Sequence, residues 1–348
     1  MARIIGKGFS FDDVVFEPKY NKVLSRKDVE LRTRVTRNYE IDIPILAANM
    51  DTICEAEMAI ALGKLGGLGV IHRFMKIEEQ AKQVREVKKE GLICAAAIGV
   101  KDVKERADAL VRAGLEILVI DIAHGHSKYA GKTLDYLKAT YPSIDIMAGN
   151  IATKDAAEYF LSKGADAVKV GIGPGSLCTT RLMTGAGVPQ ITAIMDVYEA
   201  TKGKIPICAD GGIKKPADIV KALGAGANTI MSGYIFAGTK ETPGEVIEIE
   251  GKKFKLYRGS ASYDVAVKSA ELSGEQGEPI SIEGERTQVP YKGSIDKIIQ
   301  QYRGAIASGM TYLGAKDMEG IIGKADFREV TSAGIEEGEA HAIEKGFC

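Results

Sequence analysis

Eight short runs of consecutive apolar residues recur along the chain: Ile43–Ala48, Leu68–Ile71, Ile93–Gly99, Ile117–Ile122, Ile146–Gly149, Ala167–Gly171, Ile205–Ala209 and Thr229–Gly233. A strand covered on both faces reads this way, apolar at successive positions rather than at alternate ones. Between the runs lie stretches with helical spacing: Cys54–Leu65, Ile77–Glu90, Val103–Ala113, Lys132–Thr140, Lys154–Lys163, Ile191–Thr201 and Pro216–Leu223. Most end at a glycine (Gly66, Gly91, Gly114, Gly164, Gly224), where a helix C-cap favours positive φ. The alternation predicts an α/β fold, a (β/α)8 TIM barrel formed by one domain spanning residues 1–348. An open doubly wound sheet is the alternative. Eight equal units with no edge-strand signal suit closure better.

Two stretches fall outside the rhythm. Residues 1–40 read as an N-terminal arm covering one end of the barrel. Residues 239–293 read as an insertion after the eighth strand. It opens with a hairpin, Val246–Glu250 and Lys253–Tyr257, and continues into Lys268–Ile282, polar, Gly- and Glu-rich and weakly patterned. Its position suits a mobile flap over a substrate, and its composition equally suits a plain surface loop. Ser294–Ile306 predicts a last helix before an irregular tail.

Composition narrows the function. Among 348 residues, 46 basic and 47 acidic side chains leave a net charge of -1, giving no reason to expect nucleic acid or an anionic membrane as partner. No apolar run approaches the roughly 20 residues of a membrane span, and the first residues lack a signal-peptide core. The expected location is cytoplasmic. None of the five cysteines forms a CxxC or CxxxC pair, which argues against structural zinc. Cys94 and Cys208 fall inside apolar strands, Cys54 in a loop or first helical turn, and Cys348 at the terminus.

Cys178 is different. It lies in Gly171-Ile-Gly-Pro-Gly-Ser-Leu-Cys-Thr-Thr180, directly after the sixth strand. Three glycines and a proline in five residues exclude regular structure and leave backbone N–H groups open. Gly-Pro-Gly is commonly just a turn, and most lone cysteines are small core residues. In a barrel, however, the active site follows the strand C-termini. Those positions here hold Asn49, His72-Arg73, Asp121 to Ser127, Asn150, the cysteine loop, Asp210-Gly211-Gly212 and Gly233-Tyr234. Bare backbone at Gly211, Gly212 and Gly233, with Ser176, suits a phosphate. Asp210 suits sugar hydroxyls or the cap of the following turn, with no preference between them. A Cys178 thiolate would be a covalent nucleophile. Thr180 needs a partner to act as a base, and His72, His124 and His126 are candidates by type. His124 and His126 have no evident third ligand for a metal. Asp121 suits a ribose or a nicotinamide.

These motifs resemble the IMP dehydrogenase and GMP reductase family. The ten-residue loop carries the likeness with Gly185-Ala-Gly-Val-Pro-Gln190, Ala48-Asn-Met-Asp-Thr52, Asp121-Ile-Ala-His-Gly-His-Ser127, Ala148-Gly-Asn150, Ala209-Asp-Gly-Gly212 and Tyr257-Arg-Gly259. It covers nearly the whole chain, without the regulatory module that most IMP dehydrogenases insert early in the barrel. The resemblance implies that Cys178 attacks C2 of a purine nucleotide, GMP or IMP, with Thr180 and Glu283 as proton-handling partners. It implies phosphate contacts from Ser176, Gly212, Gly233, Tyr234 and Tyr257, and ribose contacts from Asp210. Asn49, Asn150, Gly211, Gly259 and Ser260 would complete the substrate site. Asp121, Ala123 and His124 would face the dinucleotide. Carbonyls of Gly173, Gly175 and Cys178 would bind potassium, completed by C-terminal tails in a homotetramer.

The two branches differ in the flap. A dehydrogenase oxidises IMP with NAD and needs an Arg-Tyr pair there. A reductase deaminates GMP with NADPH. Between Gly259 and Glu283 this chain has no arginine. That, with Asn49 and the Asp121 segment, favours GMP reductase. Val289-Pro-Tyr-Lys-Gly293 and Thr331-Ser-Ala-Gly334 look dehydrogenase-like, and IMP dehydrogenase is the alternative. A non-catalytic nucleotide-binding protein is disfavoured, because Cys178, Thr180 and Glu283 are all present.

Overall fold

The computed structural model describes residues 1–274 and 282–338. Eight parallel strands close into a barrel in chain order: Ile45–Ala47, Leu68–Ile71, Ala95–Ile98, Ile117–Asp121, Asp145–Ile151, Ala167–Val170, Ile207–Asp210 and Thr229–Ser232. The last pairs with the first, Met231 opposite Leu46, so no edge is left open. The open-sheet alternative is thereby excluded. Nearly every residue of these strands is buried, which is why they read as unbroken apolar runs.

Helices alternate with the strands and bury one stripe against them. Ala56–Lys64, Ile77–Lys89, Val103–Arg112, Lys154–Ser162, Gln190–Thr201 and Pro216–Ala225 lie close to their expected bounds. Lys128–Thr140 starts a turn earlier than expected, because the Ser127 hydroxyl caps it by accepting from the Ala130 N–H. The last long helix runs Ile295–Tyr312, well past Ile306. Its buried Ile306, Ala307 and Met310 keep the apolar stripe going beyond the expected end.

Three expectations are corrected. The arm does not cover one end only. Thr33–Arg34 and Glu40–Ile41 pair beneath the barrel, where Thr36 and Asn38 bond the buried Asp145 carboxylate. Phe11, by contrast, is buried beside Gly212 at the opposite end. The tail is not irregular: Phe327–Glu329 pairs antiparallel with Val14–Phe16, tying the two ends of the chain together. The insertion is more regular than its composition suggested. Ile247–Ile249, Lys252–Arg258 and Arg286–Pro290 form a three-stranded sheet, and Tyr263–Ser273 is a helix. The expected flap residues 275–281 lie outside the described residues, as do Cys348 and the rest of the tail from 339.

Candidate active site

The sixth strand delivers the chain into the cysteine loop at Gly171. Only a glycine fits there: a Cβ would sit 2.0 Å from the Asp210 carbonyl oxygen of the next strand. The loop then turns on itself, with the Cys178 N–H donating to the Gly175 carbonyl at 3.1 Å. A short helix, Thr180–Thr184, follows. Nothing in the apolar pattern predicted it.

Segment 283–285 returns from the insertion and is stitched onto this loop by backbone bonds. Thr179 N–H donates to the Glu283 carbonyl and Glu285 N–H to the Leu177 carbonyl, both at 2.9 Å. That register carries the Glu283 side chain to Thr180. The Cys178 thiol donates to the Thr180 hydroxyl at 3.1 Å, and that hydroxyl donates to Glu283 Oε2 at 2.8 Å. Thiol, hydroxyl and carboxylate form a line along which a proton can pass. The carboxylate is its only strong acceptor.

Among the described residues no histidine plays that part. His72 is fully buried, its Nδ1 accepting from the Phe74 N–H and its Nε2 3.2 Å from Glu55. That contact holds the Glu55 carboxyl below its ordinary pKa. His126 lies against the Tyr159 ring. His124 is exposed and does not line the cavity. Among the described residues no cluster of His, Cys, Asp or Glu could hold a metal ion.

The cavity measures about 270 Å³. It is lined by every other residue expected at the site. On one side Ser176 Oγ lies 3.1 Å from the Tyr257 hydroxyl, near the bare backbone of Gly211, Gly212 and Gly233. Burial pushes the Tyr257 phenol up, so it is a neutral donor at neutral pH. On the floor, the Lys169 ammonium contacts Asp210 Oδ2 at 2.6 Å and Asp121 Oδ1 at 3.2 Å. Asn150 Nδ2 donates to the same Asp210 oxygen at 2.9 Å, and Asn49 bonds Asp121. Arg73 approaches Asp121 Oδ2 at 3.6 Å. Burial would raise the Asp121 carboxyl, but Lys169 and Arg73 outweigh it and hold it low. Burial would lower Lys169, and Asp210 and Asp121 hold it high instead. Two buried atoms on this floor, Arg73 Nε and Asn150 Oδ1, have no hydrogen-bond partner.

Sequence reasoning passed over Lys169 and Arg181. Lys169 is the single charged residue in a buried four-residue strand, which was the available signal. Arg181 donates to the Ile172 carbonyl at 3.1 Å and the Val188 carbonyl at 2.5 Å, joining the two limbs of the loop. Its stem runs between Gly173 and Gly187, where a Cβ would come within 2.6 Å of it on either side. The carbonyls of Gly173, Gly175 and Cys178 are neutral oxygen donors, a set that suits an alkali cation. Among the other cysteines, burial pushes the Cys94 and Cys208 thiols to about 12 and Cys54 well above its ordinary value. Cys178 is only partly buried.

A family profile described as "IMP dehydrogenase / GMP reductase domain" matches residues 8–341. The inosine-5'-monophosphate dehydrogenase of Borreliella burgdorferi is 39% identical, the alignment covering 98% of each chain. The corresponding Cryptosporidium parvum enzyme is 38% identical over 98% of this chain and 96% of its own. The Borreliella alignment runs over 398 positions although this chain has 348 residues, so that enzyme carries segments without a counterpart here. Among solved structures, GMP reductase from Trypanosoma brucei in complex with guanosine 5'-monophosphate superposes with a TM-score of 0.92. It is 31% identical, covering 98% of this chain and 99% of that one.

Proposed function

The chain belongs to the IMP dehydrogenase / GMP reductase family, and we propose that it works in the reductive direction, as a GMP reductase. The observation that carries this reading is the line from Cys178 through Thr180 to Glu283, in an insertion with no arginine between Gly259 and Glu283. A dehydrogenase must activate water to hydrolyse its adduct; a reductase must hand a proton to a departing amine. The line supplies the second need.

In this mechanism the Cys178 thiol gives its proton through Thr180 to Glu283 as sulfur bonds to C2 of GMP. Glu283 returns that proton by the same route to the 2-amino group. The C2–N bond breaks, ammonia leaves, and the nucleotide stays bound to sulfur as a thioimidate. Asp121 and Ala123 would hold a reduced dinucleotide, which when bound would supply the hydride that brings C2 to the IMP level and frees the Cys178 thiolate. Ser176, Tyr257, Tyr234, Gly212 and Gly233 hold the phosphate, and Asp210 the ribose. Asn49, Asn150, Gly211, Gly259 and Ser260 frame the nucleotide. Asp121 and Ala123 face the dinucleotide, for which we propose NADPH. The same reading includes a homotetramer, a cytoplasmic location and potassium on the carbonyls of Gly173, Gly175 and Cys178.

The names of the curated relatives favour a second reading, NAD-dependent oxidation of IMP to XMP. Arg286 is the nearest arginine beyond the flap, but it is exposed and paired with Asp264 at 3.1 Å. Absorbance at 340 nm separates the two readings. Loss of NADPH with ammonia released from GMP supports the reductase; NAD reduction sustained over many turnovers with IMP alone overturns it.

A further inference from the structure

We propose that Lys169 links nucleotide binding to dinucleotide binding, so that each ligand tightens the other. The inference rests on the reading above, in which Asp210 meets the nucleotide ribose and Asp121 the dinucleotide. These carboxylates come from the seventh and fourth strands. The Lys169 ammonium, on the sixth, lies between them, 2.6 Å from Asp210 and 3.2 Å from Asp121.

Lys169 is 2% exposed, so water does not screen these contacts as it would at the surface. Its position is fixed by a strand inside a closed barrel, not by a loop. Only Oδ2 of Asp210 is engaged by Lys169 and Asn150. The carboxylate is thereby held by one oxygen while the cavity it lines receives the ligand.

One ammonium shared between two carboxylates makes their environments interdependent. When a dinucleotide hydroxyl donates to Asp121, that carboxylate attracts the ammonium less. Lys169 then shifts its weight to Asp210 and fixes it more firmly for the ribose. By linkage the nucleotide tightens the dinucleotide by the same factor. Such couplings typically amount to about 5-fold to 150-fold. The shorter distance to Asp210 already favours that side before any ligand arrives.

The test uses GMP with NADP+ in the Cys178→Ala background, where no adduct can form, and isothermal titration of the whole protein. With every other residue native, NADP+ should tighten GMP at least ~5-fold. Asp121→Asn removes one charge without touching the nucleotide. It should tighten GMP by a similar factor with no dinucleotide present, and NADP+ should add nothing further. A merely structural role for Asp121 would not strengthen a remote ligand. Lys169→Met should bring the NADP+ factor close to one. GMP affinity unchanged or weaker in Asp121→Asn, or a full factor retained in Lys169→Met, would overturn the inference. Asp210→Asn distinguishes the source of failure. If it leaves GMP affinity unchanged, the placement of the ribose is wrong and the linkage falls with it. If it weakens GMP while the other variants miss their expected outcomes, the linkage alone is wrong.

Discussion

Glu283→Gln isolates the proton-handling step. The substitution keeps size and shape, and the amide oxygen that replaces the carboxylate can still accept the Thr180 hydroxyl bond, now 2.8 Å long. The backbone bonds that seat this segment, from Thr179 and to Ala261, do not involve the side chain. Stability should therefore stay within about 0.5 kcal/mol of the wild type. What disappears is the carboxylate in line to take the Cys178 proton and return it. General acid–base catalysis contributes about 10²- to 10⁴-fold, or roughly 3–5 kcal/mol at about 1.36 kcal/mol per decade. That loss should fall on deamination. Rapid-quench measurement of ammonia release from GMP with NADPH reads this step. Stopped-flow oxidation of NADPH by adduct formed in advance with GMP reads hydride transfer after the thiol and amine protons have already moved. Ammonia release should drop by the full factor and hydride transfer by less than about tenfold. Equal loss in both steps would refute the Thr180–Glu283 role.

Three further outcomes follow from the structure. Cys178→Ala should abolish turnover while GMP affinity, measured by titration, stays within a fewfold, since the phosphate and ribose contacts lie elsewhere; residual activity near wild type would rule out covalent catalysis. Arg181→Ala removes two charge-assisted bonds across the cysteine loop, each worth about 1.5–3 kcal/mol, and should cut kcat/KM roughly 10- to 100-fold, change the iodoacetamide rate of Cys178 and lower the melting temperature. Glu55 has a depressed carboxyl pKa through its bond to His72, so it adds stability above the unfolded value of about 4.3 that is lost as pH falls through the folded one. Glu55→Gln should accordingly melt below the wild type at pH 7, with the gap closing in acid; a gap persisting at pH 3 would assign the loss to packing.

What the sequence conveyed depended on how local the signal was. The barrel strands were legible because both faces are buried, so Ile117–Asp121 or Ala167–Val170 needed no partner to be recognised. The cysteine loop was legible because glycine and proline state their backbone needs outright. Long-range pairings were not. Val14–Phe16 meets Phe327–Glu329 across almost the whole chain, and three-residue strands carry too little pattern to announce a partner. The helix Tyr263–Ser273 was hidden by its polar surroundings in the insertion. Lys169 and Arg181 were missed for another reason: long side chains act several ångströms from their own backbone. Their partners, Asp121 and Asp210 in one case and Ile172 and Val188 in the other, become neighbours only when the barrel closes and the loop folds back.

A covalent bond between Cys178 and the purine is the claim on which both reaction directions depend. Mixing the protein with IMP and an excess of NADP+ or NAD, quenching in acid within the first turnovers, and weighing the intact chain and its peptides tests it directly. The account predicts one nucleotide's mass on the peptide containing Cys178, absent from Cys178→Ala. An active enzyme with no such adduct, or with the mass on another residue, would contradict it.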